Sequence, residues 1–387
     1  MRSFRLCIAA ISASILLGVG VGVGTGAAER PITIGAMYNL TGGQRDLDIP
    51  SSEGARLAVA EANAGGGLLS RPVKLRLVDG ETNPGIIAAK AAALFSEVPD
   101  TAGLIGFSDT DMVLAAAPIA AKHRRVFLTS GATSPQLPEQ VPVYLFLACF
   151  GDNVQAAAGA EWAYDKLRAR TVAVIYKETS SYARLLHRYF EERFKELGGR
   201  VLAVLPYQLD HIREQIDKLP NADLIYLAAQ PDDVARAIPA LRNAGLETPI
   251  LGGDGLDIGE AWREVKDARH VYFTTHAYIS ADNPDPRVKA FREAFAKAYP
   301  GRQPDAFAAL GYDTARLLMA AIGAAGRTEP EAVRKALAGT HDFEGVTGTI
   351  SYQDGSRIPS KSVAIIAIEQ GAQKYMGSLT PKKIPVP

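Results

Sequence analysis

The chain reads as an α/β protein of two lobes, each a parallel sheet flanked by helices, with hinge crossovers joining them. Three observations lead there. With 387 residues the chain exceeds the roughly 250–300 residues that one hydrophobic core supports. Short β-rich runs alternate with stretches of helical period in two successive units, and parallel strands need crossovers of about a dozen residues. A third block, 284–337, reads as three helices with no strand between them, so it must cover a sheet built by other residues.

In the first unit, 32–38 is a strand, and 51–63 is a helix entered at Ser51 or Ser52 and stopped by Gly65-Gly66-Gly67. Residues 73–78 alternate with period two, 86–97 form an Ala-rich helix, 102–107 an apolar strand, 112–122 a helix and 126–129 a strand. The second unit repeats the order. Helices are expected at 153–167, 182–197, 212–219 and 234–244, and strands at 172–176, 201–207, 224–229, 249–251 and 271–275. Two further strands, 348–352 and 362–368, follow the helical block. The economical path takes the tail back to the first lobe and then again to the second. The lobes are then 29–148 plus 278–350, and 149–277 plus 351–387.

Composition removes several function classes. Hydrophobic residues make up 47% and charged residues 22%, which is the balance of a globular chain. Forty-two basic side chains against 42 acidic ones leave a formal net charge of +0, so the attraction that a phosphate-backbone binder relies on is missing and nucleic acid is not expected as a partner. Arg2 and Arg5 precede an uncharged run that ends in Gly26-Ala27-Ala28, the layout of a signal peptide over 1–28 with a mature, periplasmic chain beginning near Glu29. An uncleaved anchor is the alternative, and the glycines and small-residue exit oppose it. Cys7 falls within the leader. Cys149 is then alone, which excludes an internal disulfide and a CxxC site. The pattern GxGxx(G/A) at 22–27 would leave with the leader, and it binds dinucleotides only where a strand hands over to a helix. No cofactor is expected.

In open α/β sheets ligands bind beyond the carboxyl ends of the strands. Ser108-Asp109-Thr110-Asp111 follows one strand and Ser130-Gly131-Ala132-Thr133-Ser134 another. Both segments suit an anion such as a carboxylate, through N–H and O–H donors; each residue singly also suits a helix N-cap. From the second lobe the corresponding ends carry 178–182, Gln230-Pro231 and Gly252-Gly253-Asp254-Gly255. Asp254 either meets an ammonium group approaching between the glycines or forms an Asp-Gly turn. The six histidines, among them His276, are scattered without HExxH or zinc spacing, and no GxSxG elbow occurs. No catalytic or metal-ligating set is expected, and the histidines read as solvated or locally bonded. Asp109 and Asp111 lack the nucleophile or metal ligand that an acid–base role would require.

At these residues the sequence resembles the substrate-binding proteins of branched-chain amino acid ABC transporters, the leucine/isoleucine/valine-binding type, over about residues 31–370. The likeness is carried by Gly54-Ala55-Arg56-Leu57-Ala58 with Glu61-Ala62-Asn63, by 106–118, by Ser130-Gly131-Ala132-Thr133-Ser134-Pro135, by Gly151-Asp152 and by 252–255. It implies the type I periplasmic binding fold. It also implies that the ligand carboxylate is held by Thr110 and by Gly131, Ala132 and Thr133, and the ammonium by Tyr182 and Asp254. Phe150 at the first crossover and Leu47 in the loop after the first strand become pocket-wall candidates. Gln230 stands where some relatives have a tyrosine on the second lobe. Asp109-Thr110-Asp111 replaces a serine run common among relatives, and Thr82 and Asp109 take the places of a cysteine pair. The resemblance implies a monomer that delivers a small amino acid of the branched-chain or aliphatic type to an ABC permease in the inner membrane. A binder of aromatic acids or small amides is the alternative, and a secreted enzyme or a receptor ectodomain on the same clamp are the rivals from other classes.

Overall fold

The computed structural model describes residues 30–353 and 355–387. The leader expected over 1–28, with Cys7 and the glycine pattern at 22–27, lies outside the described residues. From Ile32 the chain lays down β1 (Ile32–Tyr38), α1 (Arg45–Ala64), β2 (Val73–Asp79), α2 (Pro84–Glu97), β3 (Leu104–Gly106), α3 (Thr110–Lys122), β4 (Phe127–Thr129), the single turn α4 (Leu137–Gln140) and β5 (Leu145–Leu147). These five strands form one parallel sheet in the order β2-β1-β3-β4-β5.

The second unit is α5 (Asp152–Asp165), β6 (Thr171–Lys177), α6 (Ser181–Glu196), β7 (Arg200–Tyr207), α7 (Ile212–Ile216), β8 (Leu224–Ala228), α8 (Pro231–Asn243), β9 (Ile250–Gly252) and β10 (Val271–Thr275). Then come α9 (Pro286–Ala298), α10 (Ala306–Ala325), α11 (Pro330–Ala338), the small hairpin β11 (Phe343–Gly345) and β12 (Gly348–Ile350), and finally β13 (Val363–Glu369) and β14 (Ala372–Leu379). The second sheet has seven strands in the order β14-β13-β10-β9-β8-β6-β7. Five of them are parallel, as the alternation predicts. At the other edge β13 is antiparallel to β10, and β14 to β13. That edge departs from a purely parallel lobe because its two strands are joined by a two-residue turn and not by a helical crossover. Gln370 and Gly371 both have positive φ, 52° and 76°, as a tight hairpin requires.

The helical block covers the first sheet. Its long helix α10 crosses α1 with the backbones touching: a Cβ on Gly54 would lie 1.9 Å from the Ala308 carbonyl oxygen, and one on Gly311 1.8 Å from that of Ser51. Small residues at a crossing allow this separation, and Ala315, Leu317, Leu318 and Ile322 then pack on Ile32, Ile34, Ile105 and Leu128. α1 begins at Arg45, six residues earlier than its sequence pattern suggests. Pro50 reads as a boundary, yet near a helix start it removes only one N–H bond, and Asp46 and Asp48 in the first turn complement the positive end of the dipole. Among the described residues, no helix is long and apolar enough to cross a membrane.

Candidate functional site

The lobes meet where strand carboxyl ends face each other. On the second lobe the centre is Asp254, buried just after β9. The Tyr182 hydroxyl donates to its Oδ1 (2.8 Å), and so does Gln155 Nε2 (2.7 Å); His276 Nε2 lies 3.0 Å from Oδ2. Gln155 is held in turn, because its Oε1 accepts from the Asp254 N–H (3.1 Å) and the Thr274 hydroxyl (2.9 Å). The Tyr182 oxygen also accepts from the Gly255 N–H (3.0 Å). Each member fixes another, so this wall is rigid before any ligand arrives. Gln155 Nε2 also donates to Asp152 Oδ1 (3.0 Å), whereas Asp152 Oδ2 is buried with no partner. Burial, reinforced by the neighbouring Asp254 charge, holds the Asp152 carboxyl well above the usual carboxylate range.

Two crossover residues floor the site. Phe150 stacks on the His276 ring at 4.3 Å between centroids, and Phe307 of α10 meets the same ring edge-on at 5.6 Å. His276 thus touches both lobes, and its Nδ1 is buried without a partner.

The first-lobe wall is built differently. Gly106 has φ of 133°, and a Cβ there would lie 1.7 Å from the Met37 carbonyl oxygen, so only glycine lets β3 run this close to β1. Phe107 follows in the left-handed region at φ 48° and turns the chain into Ser108-Asp109-Thr110. Asp109 caps α3 through Oδ1, accepting from the Asp111 (2.9 Å) and Met112 (3.3 Å) N–H groups. Burial and the Asp111 charge push its carboxyl up to about 6. Behind it Asp48 Oδ2 accepts from Asn39 N (2.7 Å) and Nδ2 (2.9 Å), while Oδ1 has no partner. Burial pushes Asp48 up to about 7. The hydroxyls of Ser108, Thr110, Ser130 and Ser134 are likewise buried and unpartnered, a concentration that folded proteins avoid unless something else completes the bonds.

Direct hydrogen bonds tie the walls together. Gln230 Nε2 donates to Asp109 Oδ2 (2.8 Å) on the first lobe and Ser180 Oγ (2.6 Å) on its own, and Gln230 Oε1 accepts from Gln44 Nε2 (2.8 Å). The Ser181 N–H donates to Asp111 Oδ2 (3.1 Å). The clamp is closed, and the Gln230 amide is fully engaged in holding it so.

The candidates drawn from sequence therefore separate. Tyr182 and Asp254 are bonded to each other, Phe150 stacks on His276, which bonds Asp254, and Thr110 at the start of α3 is buried with its hydroxyl unbonded. Gln230 bridges the lobes. The Gly131 and Ala132 amides point inward instead, donating to the Phe107 carbonyl (3.3 Å) and Thr129 Oγ1 (3.2 Å). The Cys149 thiol, its acidity suppressed by burial, donates to the Ala132 carbonyl behind them (3.3 Å). Thr133 is buried, its carbonyl accepting from the Asp152 N–H (2.6 Å). Leu47 sits on α1 and not in a loop, packed with Met37, Phe107 and Phe127. Sequence reasoning assigned no role to Asp48, Asp152, Gln155 or His276. His276 follows β10, so reading that strand end as the others were read would have found it. Gln155 lies one turn inside a helix, beyond the reach of that rule.

Two α/β lobes closing polar strand ends on each other define a clamp-type binding protein. The chain belongs to the periplasmic binding protein family, whose model matches residues 31–373. It is 25% identical to the Leu/Ile/Val-binding protein homolog 1 of Brucella abortus over 363 residues, covering 89% of this chain and 92% of that one. The substrate-binding protein LivJ from Streptococcus pneumoniae, solved in complex with isoleucine, superposes with a TM-score of 0.82 at 25% identity, over 91% of this chain and 99% of that one. A Rhodopseudomonas palustris solute-binding protein in complex with 3,4-dihydroxybenzoic acid shares the fold, with a TM-score of 0.79 at 20% identity, over 92% of this chain and 99% of that one.

Proposed function

We infer that this chain is the solute-capturing component of an ABC importer, closing on a small amino acid of the branched-chain or aliphatic type and releasing it chemically unaltered. The observation that carries the reading is the Asp254 network. A carboxylate held by Tyr182, Gln155 and His276, with the unpartnered Asp152 oxygen beside it, is a receptor for an ammonium group in a site shielded from water, where charged contacts gain strength. The buried, unbonded hydroxyls of Thr110 and Ser108 lie on the other lobe, and we assign the ligand's second polar end to them. A simple aromatic acid has no ammonium to set against Asp254 and Asp152 and fits this wall less well.

The lobes we assign are 29–148 plus 278–350 and 149–277 plus 351–387, hinged where the chain crosses at Phe150, at His276 and between 351 and 362. Ligand selects the closed form because only that form brings both walls to it. We place the mature chain in the periplasm as a monomer, docking on an inner-membrane permease. Removal of residues 1–28, the permease and the ligand-contact roles of Thr110, Thr133, Tyr182, Asp254 and Phe150 belong to this proposal. Calorimetry and small-angle scattering against a panel of α-amino acids test it. Heat and a smaller radius of gyration with at least one are expected; a panel that leaves both unchanged overturns the reading.

A further inference from the structure

We propose that the cleft selects an occupant with one net positive charge, an amino acid amide or a basic amino acid, over the neutral zwitterion of the same size. The proposal rests on the clamp and the ammonium receptor of the reading above and shifts its substrate class from the neutral zwitterion to a cation. Four buried aspartates run from wall to wall: Asp48 and Asp109 on the first lobe, Asp152 at the first crossover, Asp254 on the second lobe. Asp48 senses the charge of Asp109 beside it, and Asp152 senses those of Asp254 and Asp109. Among the described residues, none of the four pairs with a lysine or arginine; His276 on Asp254 is their one basic contact. Two lysines of the fold turn elsewhere. Lys361 Nζ binds the Ala148 carbonyl (3.3 Å) and Thr347 Oγ1 (2.5 Å) at the hinge, and Lys177 pairs with Asp232 (3.1 Å) and Asp233 (3.0 Å).

Buried carboxylates without a cation are costly, and two of these present an oxygen with no partner, Asp48 Oδ1 and Asp152 Oδ2. The hydroxyls of Ser108 and Thr110 flank Asp109 unbonded. A hydroxyl accepts as readily as it donates, so this wall can serve a carboxamide or an ammonium. A carboxylate needs donors alone, and two of the backbone amides on this wall, Gly131 and Ala132, donate into the lobe instead. A free carboxylate on this side would also lie beside Asp109 and Asp48, and its charge would require both carboxyls to keep their protons. An added positive charge on the occupant, or the loss of its negative one, relieves both conflicts.

Calorimetry of the purified protein with leucinamide, leucine, 4-methylpentanoate and lysine tests this, since the first three share one aliphatic body and carry charges of plus one, zero and minus one. Leucinamide or lysine is expected to bind at least about tenfold more tightly than leucine, and 4-methylpentanoate most weakly. Tight leucinamide alone identifies the amide class; tight lysine alone identifies the dibasic amino acids. In Asp152→Asn and Asp48→Asn, each checked for folding by circular dichroism, the ratio of leucinamide to leucine affinity should fall several-fold. Because the readout is a ratio, a general loss of stability does not produce it. Leucine binding as tightly as both cations overturns this proposal and leaves the amino acid reading standing. Binding of none of the four, together with a silent amino acid panel, overturns both.

Discussion

The two walls of the cleft handle buried polarity in opposite ways. On the second lobe both oxygens of Asp254 are engaged, and Gln155 and Tyr182 are bonded onward to the Thr274 hydroxyl and the Gly255 N–H, with His276 Nδ1 and Asp152 Oδ2 left open around it. On the first lobe Ser108, Thr110, Ser130 and Ser134 leave their hydroxyls unbonded, and Asp48 leaves an oxygen so. The difference follows from local construction. Tyr182, Gln155, Asp254 and His276 come from four separate stretches that converge on one point. The first-lobe groups sit in tight strand-to-helix turns whose backbone bonds are spent inside the lobe. In the function proposed above, the second wall fixes how a ligand enters and the first adapts to its far end.

The largest effect expected is from removing the fixed point. Asp254→Ala takes away the acceptor of three buried side chains and leaves Tyr182, Gln155 and His276 unsatisfied, each at about 1–3 kcal/mol. Affinity for any amine-bearing ligand should fall roughly 100-fold, equivalent to about 2.8 kcal/mol, with a lower melting temperature. Thr110→Val on the opposite wall should lose far less, because its hydroxyl has no protein partner to orphan. Calorimetry on both variants checks the contrast, and equal losses would mean the walls are not different in kind.

Much of this division was legible beforehand and some of it was not. The strand ends placed Thr110, Tyr182, Gln230 and Asp254 near one another, since position beyond a strand is set by topology, and topology by hydrophobic period. What those side chains do there was harder to read. Gln230 looked like a pocket residue, but its amide finds partners in Asp109 and Gln44 across the closed interface and in Ser180 on its own lobe. Gly131 and Ala132 matched a carboxylate-binding segment, yet the direction of a backbone N–H depends on dihedral angles that residue identity leaves open. The antiparallel edge was missed for another reason. Residues 372–379 mix exposed polar positions with Gly377, which is poor strand composition, and only the Gln370-Gly371 turn marks the hairpin.

A middle-sized effect tests the seam between the walls. Among the described residues, Gln230 is bonded to both lobes through its own amide, so Gln230→Ala removes the bonds to Gln44 and Asp109 without touching Asp254. Two hydrogen bonds, one to a carboxylate, come to about 2 kcal/mol. The closed population should drop, widening the scattering radius of the protein at subsaturating ligand, and affinity should weaken by about 30-fold, seen as faster dissociation in stopped-flow. A slower association with unchanged dissociation would instead place Gln230 in ligand capture.

The smallest effect expected is in pH dependence, and it separates the walls electrostatically. Asp48 and Asp109 have folded-state pKa values raised to about 7 and about 6, above the value near 3.9 of an unfolded aspartate. The folded protein therefore holds protons there that the unfolded chain has already released. Stability from these two groups is full below about pH 4 and is lost as pH rises through their folded values. Surface carboxylates such as Asp79 and Asp285, whose pKa values are lowered by hydrogen bonds and by Arg287 respectively, act in the opposite sense, so the net slope is shallow. The clean measurement is a difference. Relative to wild type, Asp48→Asn should gain melting temperature between pH 5 and 8, by about 3 °C in all, because the substituted amide has no charge to develop. A difference that stays flat across that range would show that Asp48 is ionised throughout, with a positive partner near its free oxygen, and the first wall would then be as fully paired as the second.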